Sequence, residues 1–386
     1  MFEKITKKSF ISALERVRHG GLALSLPDGT ELHFQGPLEG PQADLVVHDW
    51  SVIQSLASRG DVGFADSHRE GRWESRDLEK LFTFGMLNER HLAGYLSGGF
   101  FFRILEQIGY WTRLNSKSGS RRNIEAHYDL GNDFYRLWLD SSMTYSSALY
   151  RDGDESLRLA QMNKYDRLLD RVGSDSSSIL EIGCGWGGFA ERAIERGTGP
   201  VKGLTLSREQ LAYAEQRVGK GAAFELKDYR DERGIYDTIV SIEMFEAVGI
   251  RYWKTYFDQV ARCLKRGGRG LIQTIVIDDD RFDSYRRGTD MIRSYIFPGG
   301  MLPSDRQFRS AAGKSGLQVK DSFVFGEDYA RTLRHWLKNF DGSREEVRRL
   351  GFDDGFIRLW RYYLASCAAS FQTGRISVMQ YELAHA

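Results

Sequence analysis

The sequence has neither the cysteine content of a disulfide framework nor the apolar length of a membrane span. Its 386 residues include three cysteines, at positions 184, 263 and 367, too few and too scattered for paired disulfides or a zinc site. This scarcity favours a reducing, cytosolic setting and predicts no protein-bound metal. Residues 1–20 carry charges throughout and have no apolar core, which argues against a signal peptide. No apolar run reaches about 18 residues, so we expect no transmembrane helix.

The sequence also lacks an excess of charge of either sign. The formal net charge is +1, which gives no overall attraction to nucleic acid or to an anionic membrane, so any such contact must be local. The length and the 41% apolar fraction allow two domains. We expect a small amino-terminal α+β domain over 1–114, a basic linker over 115–122 and a larger domain over 123–386.

The amino-terminal part predicts a hairpin and two helices. Residues 22–26 and 31–34 alternate in polarity around the turn sequence Pro27-Asp28-Gly29, which is typical of a β-hairpin. Residues 46–57 and 76–87 indicate helices.

An aromatic-rich segment over 92–111 follows, and then basic residues near the predicted linker. The segment is interpreted either as a helix that packs between domains or as an interfacial helix that touches lipid. The basic residues either add a modest attraction to a membrane or form a solvated linker; they are Arg113, Lys117, Arg121 and Arg122.

Beyond residue 123 the pattern alternates between strand and helix. Strands are predicted over 179–182, 201–206, 223–226, 236–242, 269–277 and 317–325. Helices are predicted over 188–195, 208–218, 252–264 and 304–315. Such alternation predicts an α/β fold with a doubly wound, mostly parallel sheet. Ligands in such sheets bind beyond the carboxyl ends of the strands, here at 183–188, 205–210 and 228–230.

The glycine-rich turn after the first of these strands is the strongest functional signal. An acid, Glu181, precedes four glycines within six positions, and a helix follows. Glycines at a strand-to-helix turn let a ligand approach the backbone closely. No Gly-Lys-Ser/Thr closes a phosphate loop, and the next strand ends without the acid of a dinucleotide site. The turn resembles motif I of S-adenosylmethionine (SAM) methyltransferases, and the alternative is a tight turn without a ligand.

Several further motifs occur in a fixed order along the chain. They are His127-Tyr128-Asp129-Leu130-Gly131-Asn132-Asp133-Phe134-Tyr135, Gly203-Leu204-Thr205-Leu206-Ser207 with Gln210, Phe245-Glu246, Ile296-Phe297-Pro298-Gly299-Gly300 and Tyr362-Tyr363. Together with the glycine turn they resemble the cyclopropane fatty-acyl-phospholipid synthase family, which includes the mycolic acid cyclopropane synthases. The resemblance is strong over about residues 120–380 and weaker before them.

The resemblance implies a seven-stranded SAM-methyltransferase sheet and a SAM site. Asp228 would hold the adenine amino group with Tyr229 on the ring, or else Asp228 is an ordinary turn cap. The expected cofactor-binding residues are Tyr145, Ser146, Glu181, Gly183, Gly185, Gly187, Thr205, Leu206, Gln210, Asp228 and Tyr229.

The resemblance further implies methyl transfer to a cis double bond of a phospholipid acyl chain. The resulting carbocation would be stabilised by aromatic faces and an anion. Family members hold bicarbonate as the base, and this chain departs from that site by having serine for cysteine, alanine beside the glutamate, and glutamine for histidine. Ser147, at the cysteine position, and Ile275 would act through their backbone N–H groups. The expected catalytic residues are Ser147, Glu246, Gln273, Ile275 and Tyr329.

Two products stay open. One is a cyclopropane made with a variant bicarbonate site; the other, which we favour, is a methyl-branched unsaturated chain, as in the making of methylated or furan-containing fatty acids. The retained Glu246 and Tyr329 argue against a non-catalytic SAM- or lipid-binding module.

We expect a phospholipid substrate, peripheral contact with the cytosolic membrane face and no nucleic-acid partner, and a homodimer is left open. The aromatic stretch over 356–371 is interpreted as core or as lining of an acyl tunnel.

Overall fold

The computed structural model of the chain describes residues 2–96, 130–173 and 178–386. These residues form two compact units. The first unit comprises the described residues up to 96 together with 283–296 and 336–375, and the second comprises the rest. The predicted boundaries at 114 and 122 and most of the aromatic segment lie outside the described residues, so the predicted domain division stays a prediction. No helix in the described ranges has the length and apolar content that crossing a membrane requires.

The first unit contains a four-stranded sheet made of β1 (His19–Ser25), β2 (Glu31–Gln35), β3 (Leu38–Val47) and β4 (Trp73–Glu74). The strands lie in the order β2-β1-β3-β4. β1 and β2 are antiparallel, which confirms the predicted hairpin, and Gly29 in its turn has a φ of 82°. β1 and β3 are parallel.

The predicted helix over 46–57 is wrong at its start. Val46 and Val47 end β3, where they pair with Glu74 and Trp73 of β4. The helix begins only at Ser51. The apolar residues at this junction are compatible with either a helix or a strand. The alternation of buried and half-buried side chains along the end of β3 shows that the strand continues.

The helices of the first unit surround a core built partly from the carboxyl-terminal helix. Asp354–Gln372 packs against Leu78–Leu87 and Ser51–Arg69, and the rings of Tyr362 and Phe82 lie 4.5 Å apart. This packing favours the core interpretation of the stretch over 356–371, and its role in a tunnel stays a prediction. The helical segments of this unit are Phe2–Leu14, Ser51–Arg69, Leu78–Leu87, Glu89–Leu96, Ile292–Ile296, Arg344–Arg349 and Asp354–Gln372.

The second unit contains a seven-stranded sheet made of β5 (Ile179–Ile182), β6 (Val201–Thr205), β7 (Ala222–Leu226), β8 (Tyr236–Ile242), β9 (Leu264–Ile277), β10 (Leu317–Val324) and β11 (Ile376–His385). The order is β10-β11-β9-β8-β5-β6-β7. The pairs from β9 through β8, β5 and β6 to β7 are parallel, and β11 is antiparallel to both of its neighbours. The predicted fold class is confirmed.

All six predicted strands occur in this sheet, and β11 is the one the sequence reading missed. β11 lies between β9 and β10 although it is the last element of the chain. Such pairing over a long sequence separation leaves no local signal. The helices of this unit are Asn132–Arg136, Leu157–Leu169, Gly188–Glu195, Arg208–Val218, Trp253–Cys263 and Asp305–Gly313, while Phe282–Arg287 and Gly326–Gly342 continue into residues of the first unit.

The sheet order places the glycine turn at the point where the winding direction changes. β5 lies between β6 and β8. The chain therefore adds β6 and β7 on one side of β5 and then crosses over to add β8 and β9 on the other side. The carboxyl ends of β5 and β8 therefore open onto the same crevice, which is where doubly wound sheets bind their ligands.

Candidate active site

The glycine turn joins β5 to the helix Gly188–Glu195. Gly183 and Gly185 have φ values of 84° and 51°, in the left-handed region that favours glycine. A Cβ on Gly183 would lie 2.8 Å from Cγ of Met244, so packing requires this glycine. A Cβ on Gly185 would meet nothing within 4 Å. The backbone at Gly185 is therefore open to a ligand.

Glu181 is buried in β5, immediately before this turn, with 3% of its surface exposed. Burial raises its pKa well above the usual range, although the charges of Lys164 and Arg217 act in the opposite direction. Its Oε2 has no hydrogen-bond partner among the described residues. A buried acceptor without a donor costs free energy unless a ligand supplies one. The contact of Glu181 with a cofactor stays a prediction.

The loop after β6 is ordered by its own side chains. Thr205 Oγ1 donates to Oε1 of Gln210 over 2.9 Å, and the backbone amide of Ser207 donates to Thr205 Oγ1 over 3.1 Å. Ser207 also caps the helix Arg208–Val218. Leu206, between them, is half-buried. The loop is thus held rigidly, and its contact with a cofactor stays a prediction.

Asp228 acts as a turn cap in this structure. Its Oδ1 accepts from the backbone amide of Arg230 over 2.9 Å, and its carboxylate pairs with the Arg230 guanidinium. Tyr229 is buried edge-on against Tyr256, with ring centroids 5.5 Å apart. The turn-cap interpretation is therefore observed, and the adenine contacts of Asp228 and Tyr229 stay predictions.

Aromatic rings surround Tyr145, one of the predicted cofactor residues. Its ring centroid lies 5.6 Å from that of Tyr135 and 5.3 Å from that of Trp138. Phe297 stacks at 6.4 Å. Tyr135 is the last residue of the first motif that carries the resemblance, whereas the sequence reading did not single out Trp138. Such faces are suited to stabilising a cation.

The helix Leu157–Leu169 positions the segment that follows Tyr145. Gln161 Nε2 donates to the Ser146 carbonyl oxygen over 2.9 Å, and Lys164 Nζ donates to Ser146 Oγ. Lys164 is fully buried, and burial lowers its pKa to about 7. Lys164 is a functional candidate that sequence reasoning missed, because a lysine in a helical pattern ordinarily indicates an exposed face.

The carboxylate of Glu243 is the centre of the site. Its Oε1 accepts from the Ser147 backbone amide and from Gln273 Nε2, each over 2.8 Å. The Tyr329 side chain adds a further hydrogen bond. Burial raises the pKa of Glu243, while the charge of Lys164 and these donors lower it. The backbone φ of Glu243 is 49°, rare for a residue with a side chain and typical of functional sites.

Glu243 was also missed at the sequence level. A signal existed, because Glu243 directly follows the last residue of β8 and so lies at the carboxyl end of a parallel strand. The resemblance drew attention to Glu246 instead, three positions later.

Glu246 forms the second carboxyl group of a buried pair. Its Oε1 accepts from the backbone amide of Ile275. Its Oε2 has no partner within the ranges that the structure describes. Burial, and then the charge of Glu243, raise its pKa to about 8. Repulsion by Glu243 therefore favours the protonated form of Glu246, while the positive charge of Lys164 favours the ionised form of Glu243.

The structure brings four of the predicted catalytic residues to these two carboxyl groups, and the fifth, Glu246, carries one of them. Ser147, Gln273 and Tyr329 bond to Glu243, and Ile275 bonds to Glu246. Ser147 and Ile275 donate through their backbone N–H groups, here to Glu243 and Glu246, and their contact with an added anion stays a prediction. The unexpected finding is that three of the donors expected for an added anion bind a carboxylate of the chain itself.

A family model described as mycolic acid cyclopropane synthetase matches residues 115–381. The chain belongs to this family. Among similar proteins, tuberculostearic acid methyltransferase UfaA1 of Mycobacterium tuberculosis is 36% identical to this chain over an alignment of 391 residues, which covers 95% of this chain and 88% of that protein. Cyclopropane-fatty-acyl-phospholipid synthase of Escherichia coli is 33% identical over 353 residues, covering 88% and 87%.

A solved structure of the same family has the same fold. Mycolic acid cyclopropane synthase CmaA1 complexed with SAH and CTAB superposes with a TM-score of 0.64 at 31% identity, covering 68% of this chain and 97% of that one. The predicted family and fold class and the predicted enzyme class, a SAM-dependent methyltransferase, are confirmed.

Proposed function

We propose that this protein transfers a methyl group from SAM to a double bond of an unsaturated acyl chain in a membrane phospholipid. Membership of the mycolic acid cyclopropane synthetase family supports the reaction class. The relative named cyclopropane-fatty-acyl-phospholipid synthase, which aligns over most of both chains, supports the phospholipid. We further propose that the amino-terminal part, 1–114, docks the protein at the cytosolic membrane face.

The residues of the glycine turn fit SAM. The open backbone at Gly185 and the unpartnered Oε2 of Glu181 would hold its methionine and ribose parts. SAM supplies a methyl group on a positively charged sulfur. The chain contributes orientation and exclusion of water, because an alkene is a poor nucleophile. The half-buried rings of Tyr145 and Phe297 would present aromatic faces that stabilise the carbocation left by methyl transfer on the acyl chain. Tyr135 and Trp138 are fully buried and support the ring of Tyr145.

One observation carries the proposal: the buried carboxylate of Glu243 accepts hydrogen bonds from Ser147, Gln273 and Tyr329, so Glu243 would supply the anion. An ionised carboxylate held by Ser147, Gln273 and Tyr329 stabilises the nearby cation. The cation then loses a proton from carbon, the C–H electron pair forms the new π bond, and the proton goes to Glu243. The products are S-adenosylhomocysteine, a neutral methylated acyl chain and a protonated Glu243 carboxyl group, which releases its proton to water.

Bicarbonate does not fit beside these residues. Its expected donors are engaged by Glu243, and a second anion would be repelled by Glu243 within a buried site. In this proposal the carboxylate of Glu243, which is covalently part of the chain, replaces bicarbonate as the base. Its fixed position determines which proton the cation loses. We infer that the product is a methyl-branched unsaturated chain. The alternative, a cyclopropane made with a variant bicarbonate site, is supported by the names of several relatives.

The substrate class is tested with SAM carrying a labelled methyl group. The purified protein is offered vesicles of a phospholipid with cis-monounsaturated chains, the corresponding free fatty acid, and an acyl thioester. We expect label in the phospholipid acyl chains and faster transfer there than to either soluble substrate. No transfer to any substrate would overturn the reaction class. Faster transfer to a soluble acyl compound, with no vesicle binding, would overturn the phospholipid and the membrane contact.

A further inference from the structure

Gln380 connects the last strand of the second unit to the site. It lies on β11 directly across from Gln273 on β9. Its Nε2 donates to Oε1 of Gln273 over 2.9 Å, and both side chains are buried. Since Gln273 Oε1 accepts this bond, its Nε2 is left to face Glu243, where the donor–acceptor distance is 2.8 Å.

Arg167 fixes the orientation of Gln380 in turn. Its Nη1 donates to Oε1 of Gln380 over 2.9 Å, and its guanidinium packs over the ring of Phe323 at 4.0 Å. A guanidinium donates hydrogen bonds and accepts none. Only the oxygen of the Gln380 amide can therefore face Arg167, so the nitrogen faces Gln273.

The direction of these amides matters because an amide can turn over at little steric cost. Its oxygen and nitrogen are nearly equal in size, so the partners decide which end points where. If Gln273 turned over, its oxygen would face the Glu243 carboxylate and two acceptors would oppose each other. The protonated form of Glu243 would then be favoured. The other titratable groups that act on Glu243 are Lys164, Glu246 and Tyr329.

We propose that Arg167 and Gln380 are positioning residues, which hold Gln273 as a hydrogen-bond donor to Glu243 and so keep Glu243 ionised. The inference rests on the proposed function, in which Glu243 accepts the proton that the acyl cation loses. It assigns a role in the reaction to the antiparallel strand β11 and to the helix Leu157–Leu169.

We call the chain of hydrogen bonds from Arg167 through Gln380 and Gln273 to Glu243 the relay. Gln380→Glu tests whether the direction of these bonds matters. A carboxylate at this position accepts from Arg167 and also requires a donor from Gln273, which must then turn its oxygen towards Glu243. We expect kcat at neutral pH to fall about tenfold and the acid limb of its pH profile to rise by about one pH unit, with KM for SAM unchanged. Gln318→Glu, on the neighbouring strand β10 with an exposed side chain, is the matched control and should keep the wild-type profile.

A second variant, Arg167→Met, removes the anchor without adding a carboxylate. We expect a shift of the pH profile in the same direction but smaller. Circular dichroism and SAM affinity by calorimetry establish whether each variant is folded, and if Gln380→Glu is not, Arg167→Met decides. Wild-type pH profiles in the folded variants would overturn the relay.

Glu243→Gln, measured in parallel, separates this inference from the proposed function. If Glu243→Gln is inactive while the relay variants behave as wild type, only the relay fails. If Glu243→Gln keeps full turnover, Glu243 is not the proton acceptor, and both the proposed function of Glu243 and the relay are overturned.

Discussion

The backbone amide of Ser147 donates a hydrogen bond to Oε1 of Glu243 over 2.8 Å, across 96 positions of sequence. Gln273 donates to the same oxygen. Two groups expected to hold a small anion thus hold a side chain. In the proposed reaction, the backbone amide of Ser147 therefore positions the base, Glu243.

The first prediction concerns the charge of Glu243. Glu243→Gln keeps an oxygen that can accept from Ser147 and Gln273 but removes the negative charge. We expect kcat to fall at least about 100-fold, because the lost interaction acts on the cation and on its proton. SAM affinity by calorimetry should stay the same. Glu195→Gln, an exposed acid paired with Arg192, is the control and should keep full activity. Comparable turnover in the two variants would contradict the role of Glu243.

The second prediction concerns a double variant whose site should need bicarbonate. Glu243→Gly frees the donors on Ser147 and Tyr329 and removes a side chain from a backbone with a φ of 49°. Combined with Gln273→His, it should bind an added anion and form cyclopropane in proportion to bicarbonate. The measurement is gas chromatography–mass spectrometry of the acyl esters. An unchanged product ratio in an active double variant would refute this account of specificity.

The third prediction concerns the glycine turn. Gly185→Val places a branched side chain where the backbone is open, so SAM binding should be lost in a folded protein. Gly197→Val is the matched control, since Gly197 also has a positive φ, of 66°, and nothing within 4 Å of a Cβ. Each variant should lose about 1–2 kcal/mol of stability from the left-handed backbone. Calorimetry distinguishes them, and equal SAM affinity would show that the ligand does not approach Gly185.

The fourth prediction uses the pKa of Glu246, which burial and Glu243 raise to about 8 from an ordinary value of 4.5. Folding therefore favours the protonated carboxyl group. Its contribution to stability is complete below the ordinary value and is lost as the pH rises to about 8. Because glutamine does not titrate, Glu246→Gln should gain stability relative to wild type between about pH 5 and about pH 9, by on the order of a few kcal/mol.

Chemical denaturation at several pH values checks this, and Lys164 titrates in both proteins, so that its direct contribution largely cancels. A constant difference in the free energy of unfolding across the range would mean that Glu246 is not held protonated. The same variant should lower turnover far more than SAM affinity, which single-turnover and binding measurements report separately.

Local pattern was sufficient to predict most of the sheet. Strict strand–helix alternation gave β5 and the helices Gly188–Glu195 and Arg208–Val218 with the bounds that the structure shows. Prediction failed where strand pairing is non-local, as for β11. It also failed where apolar residues are compatible with both a strand and a helix, as at Val46 and Val47. Both cases were decided by contacts distant in sequence.

The candidate site was predictable from the resemblance only where the chain keeps the pattern of the family. Ser147, Gln273 and Tyr329, which the resemblance grouped, do come together, but the group they bind, Glu243, was not foreseen. A buried carboxylate at the end of a strand reads in sequence as an ordinary polar residue of a loop. Lys164 and Gln380 were missed for the same reason, since burial that makes a polar residue functional comes from tertiary packing.

The most direct test of the central claim is the product formed with and without bicarbonate. Wild-type protein is given SAM with a labelled methyl group and vesicles of a cis-monounsaturated phospholipid, in buffer depleted of carbon dioxide and in buffer with added bicarbonate. We predict equal rates in both buffers and a methyl-branched unsaturated ester as the main labelled product. A cyclopropane ester as the sole product, formed only when bicarbonate is added, would contradict the claim that Glu243 supplies the base.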